Sequence, residues 1–295
     1  MKLGDAVASA RVQKPVLSSD RSKRRFTTSG RGRDEVRCSA TVATAEPRLI
    51  TLSISPYNEL ARWSLAHAGI AYREEPKALA IHTFASRRAG GKGTTPVLVA
   101  GDEVVPESAE IVDWADRHAP AERRLFPAGE LGEEVRRFVR RFGEELGPAS
   151  RRVIWKHLIR DIDLACRYWQ QGVSPRQARW QPRVMKLARP MAKRAMKLGD
   201  EDLSEAPGIV RSYFDEVAER IADGGRIVGD SITAADISFA SMASPAVLPA
   251  EGYPVQMPQP EDFPDDIATT IQELRAHPAG QYALRLYRDD RRARG

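Results

Sequence analysis

The chain has 295 residues, of which 42% are hydrophobic and 29% are charged, as in ordinary globular proteins. No stretch approaches the roughly 18 consecutive apolar residues that a membrane-spanning helix needs, so no transmembrane segment is predicted. The net charge of +6 arises within residues 1–40, where ten Lys or Arg face four Asp or Glu, and the rest of the chain is neutral with 36 of each. A neutral folded region without a base-stacking or groove-binding motif argues against a nucleic-acid binder.

Cysteine and histidine are sparse and scattered. The two cysteines, Cys38 and Cys166, offer no disulfide framework, and the five histidines have no ligand spacing among them. The sequence therefore predicts no metal site.

Residues 1–46 are rich in Arg, Ser, Thr and Ala and lack sustained periodicity, which predicts a disordered extension. Their composition resembles a transit peptide, and residues 36–40 are similar to the processing sites of chloroplast precursors. This predicts a plastid location ahead of a mitochondrial one, although Asp34 and Glu35 depart from an acid-poor pattern. The alternative is a cytoplasmic protein with a disordered extension that carries no targeting signal, or with a start site assigned too far upstream.

The first ordered segment predicts a strand followed by a helix. Residues 48–54 alternate apolar and polar side chains, as in a half-buried strand. Ser55 is suited to cap the following helix, Pro56 to occupy its first position, and Gly69 to end it. Residues 70–74 then predict a second strand, and residues 82–93 a glycine-rich loop.

Residues 97–105 predict a β-hairpin whose turn is formed by Gly101 and Asp102. A second helix follows, opening at Glu107 and Ser108, whose first turn is a candidate site for an anion or a polar ligand. Pro96 opens the hairpin, and a cis bond there would turn the Thr95 backbone outward. The simpler alternatives are an edge-strand proline and an ordinary helix cap.

Three motifs in this order resemble the glutathione transferase superfamily. They are Ser55-Pro56-Tyr57 at the helix start, Thr95-Pro96-Val97-Leu98 at the strand start, and the pair Glu107-Ser108. The resemblance implies an α/β thioredoxin-like domain over residues 47–119, followed by an all-α helical bundle domain, which together form the GST fold.

The linker and the second domain are assigned from composition and hydrophobic periodicity. Residues 120–130 have linker composition, and residues 131–295 predict an all-helical domain without strand patterns. Within it, Thr233 and Asp236 form a predicted capping box that resembles the one in the core helix of the same superfamily. The resemblance covers residues 48–292.

The resemblance implies glutathione as co-substrate and a role for each motif. The Ser55 hydroxyl would donate to the glutathione sulfur, with Ser53 and Tyr57 as second choices. The backbone at Thr95 and Pro96 would pair with the cysteinyl part. Lowering a thiol pKa by one or two units from about 8.5 needs about 1.4 to 2.7 kcal/mol, which a hydroxyl and a helix N-terminus can supply.

The ends of the tripeptide would meet charged or polar groups. Glu107 and Ser108 would hold the γ-glutamyl end, and Lys92 would meet the glycyl carboxylate. The sequence has no cysteine near Ser55, which argues against a thiol–disulfide reductase. The electrophile is expected to be small and hydrophobic, with conjugation, peroxide reduction, dehalogenation and ether cleavage all open. The resemblance also implies a role in detoxification and a homodimeric assembly. The alternative to an enzyme is a non-catalytic module of the same fold that binds a ligand or a partner.

Residues 173–199 carry eight Lys or Arg and no acid, with apolar side chains at helical spacing. Such a segment is more often the charged solvent face of a bundle helix than a helix lying on an anionic membrane. Pro190 is expected to kink or split it.

Overall fold

A four-stranded sheet forms the first half of the fold, and its strands are short. In this computed structural model, which describes residues 46–195 and 199–291, the strands are β1 (Arg48–Thr51), β2 (Arg73–Pro76), β3 (Val97–Ala100) and β4 (Glu103–Val105). Their order across the sheet is β2–β1–β3–β4, with β1 parallel to β2 and antiparallel to β3. This is the order of a thioredoxin-like domain, as predicted.

Strand register brings three chain segments to one edge of the sheet. Ile50 of β1 faces Val97 of β3, and Leu98 of β3 faces Val105 of β4. Because both pairs are antiparallel, the chain after β1, the chain before β3 and the chain after β4 leave the sheet at the same edge.

Three helices accompany the sheet: α1 (Pro56–His67), α2 (Ile81–Arg88) and α3 (Ser108–His118). The helices α1 and α3 pack together over the sheet, and their apolar residues join Leu49 and Leu98 of the strands in one buried cluster. As predicted, α1 opens at Pro56 and the chain leaves it through Gly69, whose φ of 73° suits glycine.

Two local predictions are wrong. The second strand lies at Arg73–Pro76, displaced from the predicted residues 70–74, because pairing with β1 sets the register. Most of the segment predicted as a loop over residues 82–93 is helix α2, and the glycines begin only after it. This eight-residue helix has no side-chain N-cap, so its start gives no sequence signal.

The second half is helical, as predicted. The helices are α4 (Glu130–Arg141), α5 (Gly147–Leu158), α6 (Ile162–Trp169), α7 (Pro175–Ala195), α8 (Asp200–Arg220), α9 (Ala234–Val247), α10 (Asp265–Ala276) and α11 (Pro278–Arg285). A π-helical turn at Phe142–Leu146 joins α4 to α5, and another at Leu286–Arg291 follows α11.

Helix α9 forms the centre of the bundle, since every one of its residues is buried. The predicted capping box is confirmed: the Thr233 side chain accepts from a backbone N–H of α9, and Asp236 accepts from the Thr233 N–H at 2.8 Å. Asp236 also accepts from the Ile227 N–H and the Tyr282 hydroxyl, which ties the helix start to α11.

The basic helix α7 is continuous through both of its prolines, Pro182 and Pro190, so the predicted split at Pro190 does not occur within Pro175–Ala195. Its main helix contact is with α6. Among the described residues, no helix is long and apolar enough to cross a membrane. The predicted extension and transit peptide lie outside the described residues, except for Glu46.

Candidate functional site

Five of the predicted site residues lie on chain segments that leave the sheet at the edge defined by strand register. Ser55 follows β1, Thr95 and Pro96 precede β3, and Glu107 and Ser108 follow β4. The Thr95–Pro96 peptide bond is cis, Pro96 is buried, and Thr95 is partly exposed.

Asn58 in the first turn of α1 connects two of these segments. Its amide nitrogen donates to the Leu52 carbonyl at 3.2 Å and lies 3.3 Å from the Thr95 hydroxyl. The Asn58 side-chain oxygen is buried and has no hydrogen-bond partner among the described residues. The sequence analysis missed Asn58; its only signal is an amide in the first turn after the serine–proline motif.

Ser55 occupies the N-cap position of α1 with extended backbone angles (φ −162°, ψ 126°). Its carbonyl accepts from the Glu59 N–H at 2.9 Å and from the Tyr253 hydroxyl at 3.4 Å. The predicted side-chain cap is wrong, because the hydroxyl makes no bond to the helix N–H groups. Within the described part of the chain this hydroxyl has no partner and is therefore available to a ligand.

The second-choice hydroxyls are already engaged. Ser53 is buried, and its hydroxyl contacts the carbonyls of Trp169 and Gln171. Tyr57 donates to the Gly143 carbonyl at 2.8 Å, and Gly147 leaves room for this ring, since a Cβ there would lie 2.9 Å from the Tyr57 oxygen. Ser55 is therefore the hydroxyl of the three that is free to donate.

Burial also keeps the Tyr57 hydroxyl protonated. The desolvation of the phenol raises the pKa of Tyr57, and the charges of Arg151 and Arg152 oppose that rise only in part. Tyr57 is thus a hydrogen-bond donor to the bundle at neutral pH and not a phenolate base.

Two cavities adjoin the site, and they divide the candidate residues. The larger, about 500 Å³, lies between α1, α3 and α4 and is lined by Tyr57, Glu107 and Ser108. The smaller, about 60 Å³, lies between the start of α1 and helices α5 and α6 and is lined by Ser55 and Arg151. Lys92, Thr95 and Pro96 line neither of these two cavities.

Lys92 lies beside Glu107. The Lys92 Nζ is 3.5 Å from a Glu107 carboxylate oxygen, and the two side chains are 66% and 41% exposed. Exposed ion pairs contribute about 0 to 1 kcal/mol, so a charged ligand can replace either partner at little cost. Ser108 is the first residue of α3, where backbone N–H groups lack partners within the helix.

A buried arginine supports the segment that precedes Ser55. Arg62 is 1% exposed and donates to the Leu52 carbonyl at 2.9 Å and the Ser53 carbonyl at 3.2 Å. Its guanidinium also contacts Glu74 at 2.6 Å. The sequence analysis missed this residue, although a charged side chain on the buried face of a helix is a signal.

A fully buried carboxylate completes the network beneath the site. Glu59 is fully buried and accepts from Arg291 at 2.8 Å, with Arg62 3.8 Å away. Burial raises the pKa of Glu59, and the two arginines oppose that rise. The last turn of the described chain thereby stabilises helix α1, which Ser55 precedes.

The architecture is that of a thioredoxin-like domain whose polar candidate site faces a helical bundle. Residues 49–123 match the family model for the N-terminal domain of glutathione S-transferases. A sequence search of curated proteins gave no match. This match assigns residues 49–123 to the N-terminal domain family of glutathione S-transferases, and the chain shares its overall fold with a solved glutathione S-transferase.

Solved structures share the fold at low identity. One is a glutathione S-transferase from Methylobacillus flagellatus KT with GSH bound: identity is 14%, coverage is 85% of this chain and 99% of that chain, and the TM-score is 0.54. Another is a beta-etherase from Sphingobium sp. strain SYK-6: identity is 14%, coverage is 80% of this chain and 98% of that chain, and the TM-score is 0.51.

Among residues 46–195 and 199–291, no group of three or more His, Cys, Asp or Glu could hold a metal ion. The polar groups at the sheet edge are a hydroxyl, an amide, an ammonium–carboxylate pair and helix N-termini. They suit an organic ligand that carries both charges.

Proposed function

We propose that this protein is a glutathione transferase in which the Ser55 hydroxyl donates to the sulfur of glutathione and favours its thiolate. The observation that carries the proposal is the Ser55 hydroxyl, which has no partner among the described residues and stands at the N-terminus of α1. The neighbouring Ser53 and Tyr57 hydroxyls already have backbone partners. The match to glutathione S-transferase N-terminal domains and the GSH-bound neighbour support glutathione as the co-substrate.

The rest of the tripeptide would follow the sheet edge. Thr95 and Pro96 would meet its cysteinyl backbone, and Glu107 with the N–H groups of α3 would hold the γ-glutamyl end. Lys92 would leave its exposed pair with Glu107 and meet the glycyl carboxylate. The thiolate would then attack a small hydrophobic electrophile held against the helical domain.

The energetic demand on Ser55 is modest. A thiol pKa lowered by one to two units corresponds to about 1.4 to 2.7 kcal/mol. A hydrogen bond to a charged sulfur and a helix N-terminus each supply about 1 kcal/mol or more. No metal or further cofactor is needed for this step.

Isothermal titration of reduced glutathione, together with turnover of chlorodinitrobenzene, tests the proposal. The wild-type protein should bind glutathione, Glu107→Ala should weaken binding, and Ser55→Ala should bind but turn over about tenfold to hundredfold more slowly. Glu110→Ala, which removes an exposed carboxylate from the same helix turn, is the matched control and should bind normally. Unchanged turnover in Ser55→Ala would refute the assignment.

A second candidate is a non-catalytic module that binds a ligand or a partner. The observation that favours it is the division of Ser55 from Glu107 and Ser108 between two cavities. Glutathione binding without turnover of any electrophile would support this candidate, and turnover that depends on Ser55 would exclude it.

The oligomeric state and the cellular location of the protein are further parts of this proposal. The resemblance to glutathione transferases implies a homodimer, and light scattering on the purified chain would test it. Residues 1–46 as a plastid or mitochondrial transit peptide would be tested by N-terminal sequencing of the protein from its native source. A start at residue 1 would contradict cleavage.

A further inference from the structure

Arg151 of α5 presents an unpaired positive charge to the small cavity beside Ser55. No carboxylate among the described residues pairs with it, and its Nε is buried without a hydrogen-bond partner. Its guanidinium carbon lies 5.2 Å from the centre of the Tyr57 ring. Burial lowers the pKa of Arg151, and no carboxylate in the described part of the chain opposes that shift.

Apart from Ser55, the other walls of this cavity are apolar. Trp155 and Trp169 contribute aromatic faces, with ring centres 4.9 Å apart, and Ile154 and Leu79 contribute aliphatic ones. The cavity volume is about 60 Å³. Since one water needs about 10 to 15 Å³, the cavity fits a group of the size of a carboxylate and not a whole aromatic ring.

We propose that Arg151 binds a carboxylate of the electrophile, so that the preferred substrates are small, carboxylate-bearing electrophiles. This proposal rests on the proposed function, because it assumes that the sulfur stands at Ser55, which lines the same cavity. A guanidinium binds a carboxylate through two parallel hydrogen bonds, and a buried unpaired charge gains most from such a partner. The acid group would enter the cavity and hold the reacting carbon near the sulfur.

The test compares chlorodinitrobenzoate with its neutral methyl ester. In both, the sulfur–carbon bond forms as the carbon–chlorine bond breaks, chloride leaves with the electron pair, and the thiol proton passes to solvent. The readout is the ratio of kcat/KM for the acid to kcat/KM for the ester. Wild type should favour the acid, and Arg151→Gln should lower the ratio about tenfold or more.

Two further variants sharpen the result. Arg151→Lys should restore part of the ratio, because it keeps the charge but loses the two-bond geometry. Lys156→Gln removes one exposed charge from the same helix and should leave the ratio unchanged. A parallel loss for both substrates in Arg151→Gln would overturn the proposal, since the arginine would then act on the thiolate or on the fold.

A binding measurement separates this proposal from the proposed function. Dinitrobenzoate lacks the leaving chloride, so its binding can be titrated calorimetrically without glutathione and without turnover. Binding that is lost in Arg151→Gln and weaker for the methyl ester would support the subsite even in a protein that fails to conjugate glutathione. Equal binding of acid and ester in the wild type would overturn it.

Helix α7 carries an independent feature on its outer surface. Trp180, Leu187 and Met191 are 49%, 84% and 71% exposed, and their spacing of seven and four residues puts them on one stripe of the helix. Arg183 lies 5.1 Å from the Trp180 ring, and the whole segment 173–199 holds eight basic residues and no acid. The expectation of a merely charged solvent face does not account for this apolar stripe.

We infer that α7 rests on an anionic phospholipid surface. Such a surface complements both parts of the helix, since the acyl boundary takes the apolar stripe and the headgroups attract the basic residues. A nucleic acid or an acidic polymer complements only the charge.

Co-sedimentation of the full chain with lipid vesicles tests this inference. The protein should pellet with vesicles that contain phosphatidylserine and not with pure phosphatidylcholine. The double variant Leu187→Ser/Met191→Ser should bind about tenfold more weakly, whereas Leu131→Ser, which alters an exposed leucine on α4, should bind as wild type. Absence of vesicle binding, or binding that the double variant retains, would overturn the inference in favour of a solvent face or a general polyanion surface.

Discussion

Replacing Arg62 by methionine tests whether the buried ion network supports the segment that leads to Ser55. The variant keeps most of the side-chain volume but removes the guanidinium, which contacts Glu74 at 2.6 Å and the carbonyls of Leu52 and Ser53. Contacts to these three partners are lost at once from a 1% exposed position, and two of the partners are carbonyls that lose a charged donor.

The loss of stability in Arg62→Met depends on how well the groups that lose the guanidinium are otherwise paired or solvated. Removing one partner of a buried ion pair costs about 3 to 5 kcal/mol, and the lower end applies because Glu74 is 29% exposed and Glu59 keeps Arg291. We therefore expect the free energy of unfolding to fall by about 3 kcal/mol. For a chain of this size, that lowers Tm by roughly 6 to 12 °C.

Urea unfolding followed by circular dichroism measures this change. Arg73→Met is the matched control, since Arg73 is 61% exposed and pairs with Glu75 at 2.9 Å on the surface; it should cost less than about 1 kcal/mol. An Arg62→Met variant within about 0.5 kcal/mol of wild type would refute the supporting role of the network.

Three further predictions concern other buried polar groups. Asp236→Ala should lower the free energy of unfolding by about 2 to 4 kcal/mol in urea titrations, because it leaves the Thr233 N–H and a buried tyrosine hydroxyl without their acceptor; a loss below about 0.5 kcal/mol would contradict this. Tyr57→Phe should cost about 1 kcal/mol by removing the bond to Gly143, and it should leave the thiol pKa of bound glutathione unaltered. Burial raises the pKa of all seven tyrosines, that of Tyr213 to about 12. The folded protein thus keeps tyrosine protons that the unfolded chain releases near pH 10, so the free energy of unfolding should fall as the pH rises above about 10. Phenolate absorbance, followed against pH, should appear only when the protein unfolds.

Local sequence signals predicted the features that depend on neighbouring residues. The strand around Ile50, the proline at the start of α1 and the Thr233–Asp236 box each act over a few positions, and each is present in the structure, although β1 is buried on both faces and not on one. The shared edge of the sheet follows from register once the hairpin and the parallel pair are assigned.

Features that depend on contacts between residues far apart in the chain were not predicted from the sequence. Arg62 gains its role when Glu74 of β2 comes beside it, and Arg291 gains its role when the end of the described chain meets Glu59. Arg151 gives no local signal, because its unpaired state depends on which side chains the bundle leaves around it. The side-chain cap at Ser55 was predicted wrongly for a related reason: the position fits a helix cap, but the side chain makes no bond to the helix.

The thiol pKa of bound glutathione tests the central claim most directly. Thiolate absorbance would be followed against pH in the wild-type protein and in Ser55→Ala, both saturated with glutathione. We predict a thiol pKa about one to two units below the free value of about 8.5 in the wild type, and a return toward that value in Ser55→Ala. The same lowered pKa in both proteins would contradict the role of the Ser55 hydroxyl, and an unshifted pKa in the wild type would contradict thiol activation at this site.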